Sequence, residues 1–389
     1  MIPNTRVLDL SRLLPGPYCS RILADFGAEV IKVERPGGSD WLRHMPPLTG
    51  GDSASTNKEE RQSGALFQAL NRGKKSLTLD LKSEQGRVIF LRLVETADAL
   101  LEGFRPGVME QLGLGYETLA QVNPRLVYCS LSGYGQRGAY RQRAGHDLNY
   151  VGLAGLLDLT GTREGPPVIP GAPLADLTGA LWATVGILLA LLARERTGQG
   201  QRVDGSFLGA ALACLPVALA QRAGRQAVER GGGNLTGGLV CYHVYETRDG
   251  KYVTLGALEP EFWTSFCRAV GREDLTGRQL APTLPGEPAY EELRALFRTR
   301  TRQEWMETLG GVDTCCEPLY TLDEALASAP VQALGMLTSA GLLPPLQLSA
   351  CPGRHPAPAP ALGQHTGSLL AELGYTSAEI ERLERQGVV

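Results

Sequence analysis

The sequence predicts an α/β protein built on an open, doubly wound parallel sheet, accompanied by a small α+β domain. Two observations carry the sheet. Strand, turn, helix and strand follow one another within the first 35 residues, and the same succession recurs as far as residue 132. A third observation carries the second domain, because past Gly231-Gly232-Gly233 the pattern changes to a hairpin followed by short helices.

Arg6 to Leu10 (RVLDL) reads as a short strand. Pro15-Gly16-Pro17 interrupts it, Tyr18 to Phe26 has helical spacing, and Glu29 to Glu34 (EVIKVE) is rich in Val and Ile, as a buried parallel strand requires. There follow a strand at Ser76 to Leu81, a helix at Ser83 to Glu95, a strand at Ala99 to Glu102, short helices at Met109 to Leu112 and Tyr116 to Val122, and a strand at Leu126 to Ser132. In such a sheet, ligands bind beyond the carboxyl ends of the strands. The polar stretch between Pro36 and Gly73 has no sustained periodicity and reads as a long loop of functional type. From Asp147 to Arg196 the chain turns helical around a loop at Gly161 to Ala175. Its longest apolar run, Ala180 to Ala193, is short for a membrane span and reads as a buried helix. Tyr242 to Tyr245 and Tyr252 to Leu255, joined by a turn at Asp249-Gly250, form the hairpin, and Glu261 to Val270 and Tyr290 to Arg298 are helical. Ala350 to Pro360 is Pro-rich and extended, and Ser377 to Gln386 is the last helix. The expected division is a large domain over 1–200, a small α+β domain over 225–310, and a segment over 311–389 that returns to the large domain.

Composition narrows the function. With 38 Lys+Arg against 41 Asp+Glu the formal charge is −3, which excludes a basic nucleic-acid-binding domain and an acidic disordered tail. The eight Cys include no C-x-x-C pair, so a zinc ribbon or disulfide scaffold is not expected; dispersed thiols and an N-terminus without signal-peptide character point to the cytoplasm. No nucleic-acid or membrane partner is expected, and no metal site.

Basic residues cluster near the ends of the N-terminal strands: Arg35, Arg72, Lys74, Lys75, Lys82 and Arg105. Any one of them reads as surface charge, but the group suits a polyanion such as a nucleotide phosphate. There is no G-x-G-x-x-G after the first strand and no G-x-x-x-x-G-K-[ST], so dinucleotide and P-loop sites are disfavoured. Gly145-His146-Asp147 precedes an apolar helical run, where free N–H groups stabilise an oxyanion and a neutral imidazole serves as base; a structural histidine is the simpler reading. Asp176, in Ala175-Asp176-Leu177-Thr178-Gly179-Ala180, opens a long apolar helix either as its N-cap or as a catalytic carboxylate. Glu259 before Pro260 reads as a cap of the following helix. Cys315-Cys316 read as core thiols, and Gly231 to Gly233 as a flexible joint or a lid.

Taken in order, LSRLLPGPYCSRILADFGAEVIKVERPGG, NRGKKSLTLDLK, GFRPGVMEQLGLGYE, NPRLVYCSLSGYGQ, AGHDLNY, ADLTGA and RERTGQGQRVD resemble the family III CoA-transferase superfamily of CaiB/BaiF type. The resemblance runs from about residue 5 to the C-terminus. It implies an interlocked homodimer in which each subunit has a large Rossmann-like domain and a small domain, with the active site between subunits. It implies no tightly bound cofactor, with coenzyme A entering as part of an acyl-CoA substrate. Arg35, Arg72, Lys75, Leu79, Asp80, Leu81, Lys82, Phe104 and Arg105 match or adjoin segments that hold CoA in relatives. So do Ala144, Gly145, Asp147, Leu148, Asn149 and Tyr150. Asp176 matches the carboxylate that is nucleophile in the transferases and acid/base in the α-methylacyl-CoA racemases. His146 matches the racemases' other proton carrier, and Glu259 the acid that supports it. His146, where many transferases of this type have Tyr, favours racemisation of a 2-methylacyl-CoA, and Leu14, where formyl-CoA transferases carry Gln, argues against oxalate/formyl exchange. Asp176-Leu177-Thr178-Gly179, and Thr236 where racemases tend to have Asp, favour transfer of CoA to a carboxylic acid acceptor.

Overall fold

The computed structural model describes residues 5–49, 63–338, 341–350, 353 and 357–389. The chain divides into two units: Met1–Ala154, Gly171–Cys214 and Met336–Val389 form one, Gly155–Pro170 and Leu215–Gly335 the other. Residues 155–170 and 311–335 thus go with the second unit, although sequence pattern alone places them in the large domain and the C-terminal segment.

In the first unit, six strands form one parallel sheet. They are β1 (Arg6–Asp9), β2 (Glu29–Glu34), β3 (Lys75–Thr78), β4 (Ala99–Glu102), β5 (Val127–Ser132) and β6 (Arg202–Ser206), in the order β3-β2-β1-β4-β5-β6. The order reverses between β1 and β4, the switch point where doubly wound sheets leave a crevice. Successive strand residues feed opposite cores, as the period of two demands. Val7, Val30, Ala99 and Leu101 pack with the long helix Leu174–Thr197, while Leu8, Ile31 and Leu100 pack with Ile89, Phe90, Leu93 and the C-terminal Leu369, Leu370 and Leu383.

Three details differ from the sequence reading. The stretch between Pro36 and Gly73, part of which lies outside the described residues, contains a helix, Ala65–Asn71. The expected strand Ser76 to Leu81 is shorter, because the Leu79 N–H donates to Glu34 O at 2.7 Å and the Asp80 N–H already turns to Val388 O at 2.7 Å. Strand β6 carries no apolar alternation, since it lies at the edge and pairs only with β5. The Pro-rich segment at 350–360 also lies partly outside the described residues.

The long helix Leu174–Thr197 is half-buried rather than buried. Ala180, Ala183, Ile187, Ala190 and Leu191 meet the sheet, whereas Trp182, Leu189 and Leu192 are about three-fifths exposed (57%, 61% and 59%). It has the length and mean hydropathy of a membrane span, yet one face is part of the sheet's core.

At the carboxyl end of β1 two ion pairs are completely buried. Lys74 Nζ lies 3.1 Å from Asp9 Oδ2, and Lys32 Nζ 2.9 Å from Asp40 Oδ2, all four side chains at 0% exposure. Lys74 also donates to Pro17 O and Asn71 Oδ1, Lys32 to Ser11 O, and Asp9 accepts from the hydroxyls of Ser11 and Ser20. Burial alone would push the Asp9 carboxyl up; Lys74, Lys32 and the two hydroxyls outweigh it and hold it at about 2. Arg72 is likewise buried, on Asp25 at 2.9 Å.

In the second unit the hairpin Tyr242–Glu246 and Tyr252–Gly256 is joined by a third antiparallel strand, Cys316–Leu319. Helices Pro260–Ala269, Pro288–Phe297 and Arg302–Leu309 cover it, burying Trp263, Phe266, Phe297 and Trp305.

Removing one partner of a buried pair strands the other. Lys74→Met should therefore lower stability by about 3–5 kcal/mol in urea unfolding, and Asp9→Asn/Lys74→Met should lose less than the sum of the single changes. Because the Asp9 pKa is depressed in the folded state, its contribution is present above its ordinary value of 3.8 and fades as pH falls toward about 2.

Candidate active site

Strand β5 ends at Ser132, and the chain then packs around Tyr150. A Cβ on Gly133 would lie 2.5 Å from the Tyr150 hydroxyl, and one on Gly145 2.8 Å from the Tyr134 hydroxyl, so only glycine fits at either position. Tyr150 is buried between Tyr134 and Phe207, with ring centroids 5.2 and 5.4 Å away, and its hydroxyl donates to Gly145 O at 2.7 Å. The residue before His146 is thereby held in place.

His146 is the N-cap of the helix Asp147–Leu153, and its N–H donates to Asn149 Oδ1 at 3.0 Å. Its imidazole is exposed. Asp147 Oδ1 accepts the N–H groups of Ala175 and Asp176, at 2.7 and 3.1 Å. The long helix has Pro173 at its N-cap, which offers no side-chain acceptor, so Asp147 caps it from another helix. Asp176 is therefore not an N-cap: it is the third helical residue, and Asp147 binds it by the backbone and leaves its carboxyl free. Gly179 keeps this helix close to its neighbour, since a Cβ there would lie 2.7 Å from the Phe207 ring.

Burial first, and the charge of Asp147 second, push the Asp176 carboxyl up from 3.8 to about 7. A carboxyl of this kind exchanges protons near neutral pH. Among the described residues, no three His, Cys, Asp or Glu side chains gather as a metal site would need.

The expected basic rim splits in two. Arg35, Lys82 and Arg105 are exposed and follow β2, β3 and β4, on the carboxyl edge. Arg72 and Lys74 precede β3 and Lys75 opens it, and each is committed to a carboxylate: Arg72 to Asp25, Lys74 to Asp9, Lys75 to Glu29 at 2.5 Å. The six charges are divided by their partners: three are exposed, and three are paired to carboxylates within the fold. Arg72 corrects the sequence reading most plainly, because its guanidinium is only 3% exposed and spent on structure. Leu79 is buried, Asp80 Oδ1 accepts the Lys82 N–H at 3.0 Å, Leu81 packs on the core, and Phe104 lies under Arg12. Ala144, Leu148 and Asn149 are exposed around His146.

Sequence reasoning missed a cleft of about 250 Å³ lined by Pro106, Glu110, Gln136, Arg137, Arg141 and Arg202. Three guanidinium groups next to Arg105 are the natural seat of a phosphate. Arg137 and Arg141 lie in an Arg-rich loop that the sequence does display, but Arg202 lies on the unrecognised edge strand. Glu102, at the end of β4, was also overlooked; burial first pushes its carboxyl up to about 7.

Glu259 belongs to the second unit, at the start of the helix Pro260–Ala269. It is exposed and makes no side-chain capping bond, so the capping role expected of it is absent. Cys316 is buried but Cys315 is exposed, with φ +49°, so only one of the pair is a core thiol.

The family profile described as CoA-transferase family III matches residues 2–366. The chain belongs to CoA-transferase family III. Over 401 residues this family III chain is 36% identical to the α-methylacyl-CoA racemase of Mus musculus, covering 100% of the chain and 97% of that protein. It is 32% identical over 404 residues to the succinyl-CoA:glutarate CoA-transferase of the same species, covering 100% and 90%. Among solved structures, a CAIB/BAIF family protein from Brucella suis superimposes with a TM-score of 0.81 at 30% identity, over 95% of this chain and 98% of that one. The family III protein is thus an enzyme of acyl-CoA chemistry.

Asp147→Asn keeps an oxygen for the two helix N–H groups but removes the charge beside Asp176. The limb of the pH–rate profile that reports Asp176 should move to lower pH with the fold intact by circular dichroism; an unmoved limb would separate Asp147 from that titration.

Proposed function

We propose that this family III enzyme is an acyl-CoA racemase, which takes the α-proton from a 2-methylacyl-CoA thioester and returns a proton to either face. The observation that carries the reading is the shared anchor at Asp147. It follows His146 directly in the chain and caps the helix turn bearing Asp176, whose carboxyl is poised near 7. One of the two groups receives the α-proton, negative charge develops on the thioester oxygen, and the other group, protonated, reprotonates carbon. No redox partner is needed. Arg35, Lys82 and Arg105, together with the arginine cleft, bind the phosphates of CoA.

In D₂O, a 2-methylacyl-CoA should gain deuterium at its α-carbon, and His146→Ala should slow this by about 10²-fold or more. Absence of washout with every branched acyl-CoA tried would sink the reading.

A second reading is favoured by Asp176-Leu177-Thr178-Gly179 and by the relatives named as CoA-transferases. In it, the Asp176 carboxylate attacks the acyl-CoA, releases CoA thiolate to form a mixed anhydride, and is converted to an aspartyl-CoA thioester that a second acid collects. A hydroxylamine-sensitive adduct on Asp176, with ping-pong kinetics, would mark this route.

We also propose that the enzyme is a homodimer. Support comes from the outer face of the long helix, where Leu181, Trp182, Val185, Leu188, Leu189 and Leu192 form an apolar stripe facing away from the sheet. Leu189→Glu should shift the light-scattering mass toward that of one chain, 41.7 kDa; an unchanged mass would place the contact elsewhere.

A further inference from the structure

A cavity of about 820 Å³ lies wholly within the second unit. This is the size of a small-molecule site. Tyr242, Tyr252 and Leu255 of the hairpin wall it with two rings and an aliphatic chain, and its polar groups include Arg163, His243, Tyr290 and Arg294. Glu164 is the one carboxylate among its lining residues.

Two guanidinium groups have hydrogen-bonding capacity to spare. Arg163 donates Nη1 to Glu229 at 2.6 Å, and its Nε is buried without a partner. A buried donor left unpaired is costly and is relieved by an acceptor brought from outside. Arg294 gives Nη1 to Glu291 at 3.0 Å, and its other nitrogens donate to no described residue.

The groups behind Arg294 are fixed. His243 Nδ1 lies 2.8 Å from Gly237 O, which can only accept, so Nδ1 carries the hydrogen and Nε2 takes that of the Tyr290 hydroxyl at 3.3 Å. Gly237 makes this possible: its φ is +97°, and a Cβ there would crowd Nδ1 at 3.2 Å. The Tyr290 ring in turn lies 5.4 Å from Arg294 Cζ. The cationic donors of the lining are these two guanidinium groups, beside the hairpin wall. A planar anion that only accepts, carried on a short carbon chain, matches both.

We propose that this cavity is a carboxylate subsite, in which Arg163 and Arg294 receive the free carboxylate of an organic acid, or of an acyl chain ending in one, while the hairpin tyrosines and Leu255 line its carbons. Naming the acid as substrate rests on the acyl-CoA reading above; its binding does not.

Calorimetric titration of the whole chain with glutarate, and with glutaramide as its neutral counterpart, tests the binding. Glutarate should bind, glutaramide should not, and Arg163→Gln and Arg294→Gln should each weaken glutarate by about tenfold, with Arg294→Lys recovering part of the loss. No heat with glutarate, or affinities unchanged in both Gln variants with native circular dichroism, would overturn the subsite. Turnover separates the two sources of the carboxylate. If an acyl chain supplies it, Arg294→Gln should raise KM for α-proton exchange of 2-methylglutaryl-CoA and leave that of 2-methylvaleryl-CoA unchanged; if a free acid supplies it, only the KM for the acid should rise. Arginine-dependent glutarate binding without turnover of any acyl-CoA would defeat the functional reading and leave the subsite standing.

Discussion

Two lysines and two aspartates without solvent contact hold the carboxyl end of β1 together, and the first unit is arranged around that bond. Many doubly wound proteins bring phosphate to this turn on a glycine-rich backbone. Here the turn Leu10 to Pro17 is tied from beneath by ammonium groups of Lys32 and Lys74 reaching Ser11 O and Pro17 O. The turn is thereby closed, and the exposed cationic side chains lie on the neighbouring loops: Arg35, Lys82, Arg105 and the arginines of the adjacent cleft. The absence of the glycine fingerprint and the presence of buried ion pairs are two sides of one arrangement.

The same economy governs the surroundings of Asp176. A helix that begins after proline has no acceptor of its own for its first N–H groups, and Asp147 supplies one from a separate short helix. That bond joins two loops whose residues are far apart in sequence. It also leaves a negative charge beside Asp176, which, with burial, raises the Asp176 carboxyl into the range where it can both give and take a proton. Structure and reactivity are thus set by one carboxylate.

Much of the fold was legible because buried parallel strands such as EVIKVE and LVYCSLS advertise themselves through composition, and because proline and glycine mark their ends. The places where reading failed share a cause. Strand β6 is an edge with one neighbour and a mixed face; the helix Ala65–Asn71 is short and sits inside a polar stretch; the outer face of Leu174–Thr197 is apolar without being buried within the chain. In each case local composition does not reveal what lies across from the residue. The basic rim misled because a lysine or arginine buried on a carboxylate and one left in solvent look alike in sequence.

By itself the sequence determined the class of fold and the family resemblance, and singled out His146, Asp176 and Glu259 as candidates, because those depend on local periodicity and on residue types in a fixed order. Only the tertiary structure decided that Asp147 connects His146 to Asp176, that Arg72, Lys74 and Lys75 serve the core, and that Arg137, Arg141 and Arg202 face one cleft. Such facts are distances between residues remote in the chain, and burial and charge at a side chain are properties of what folding brings beside it.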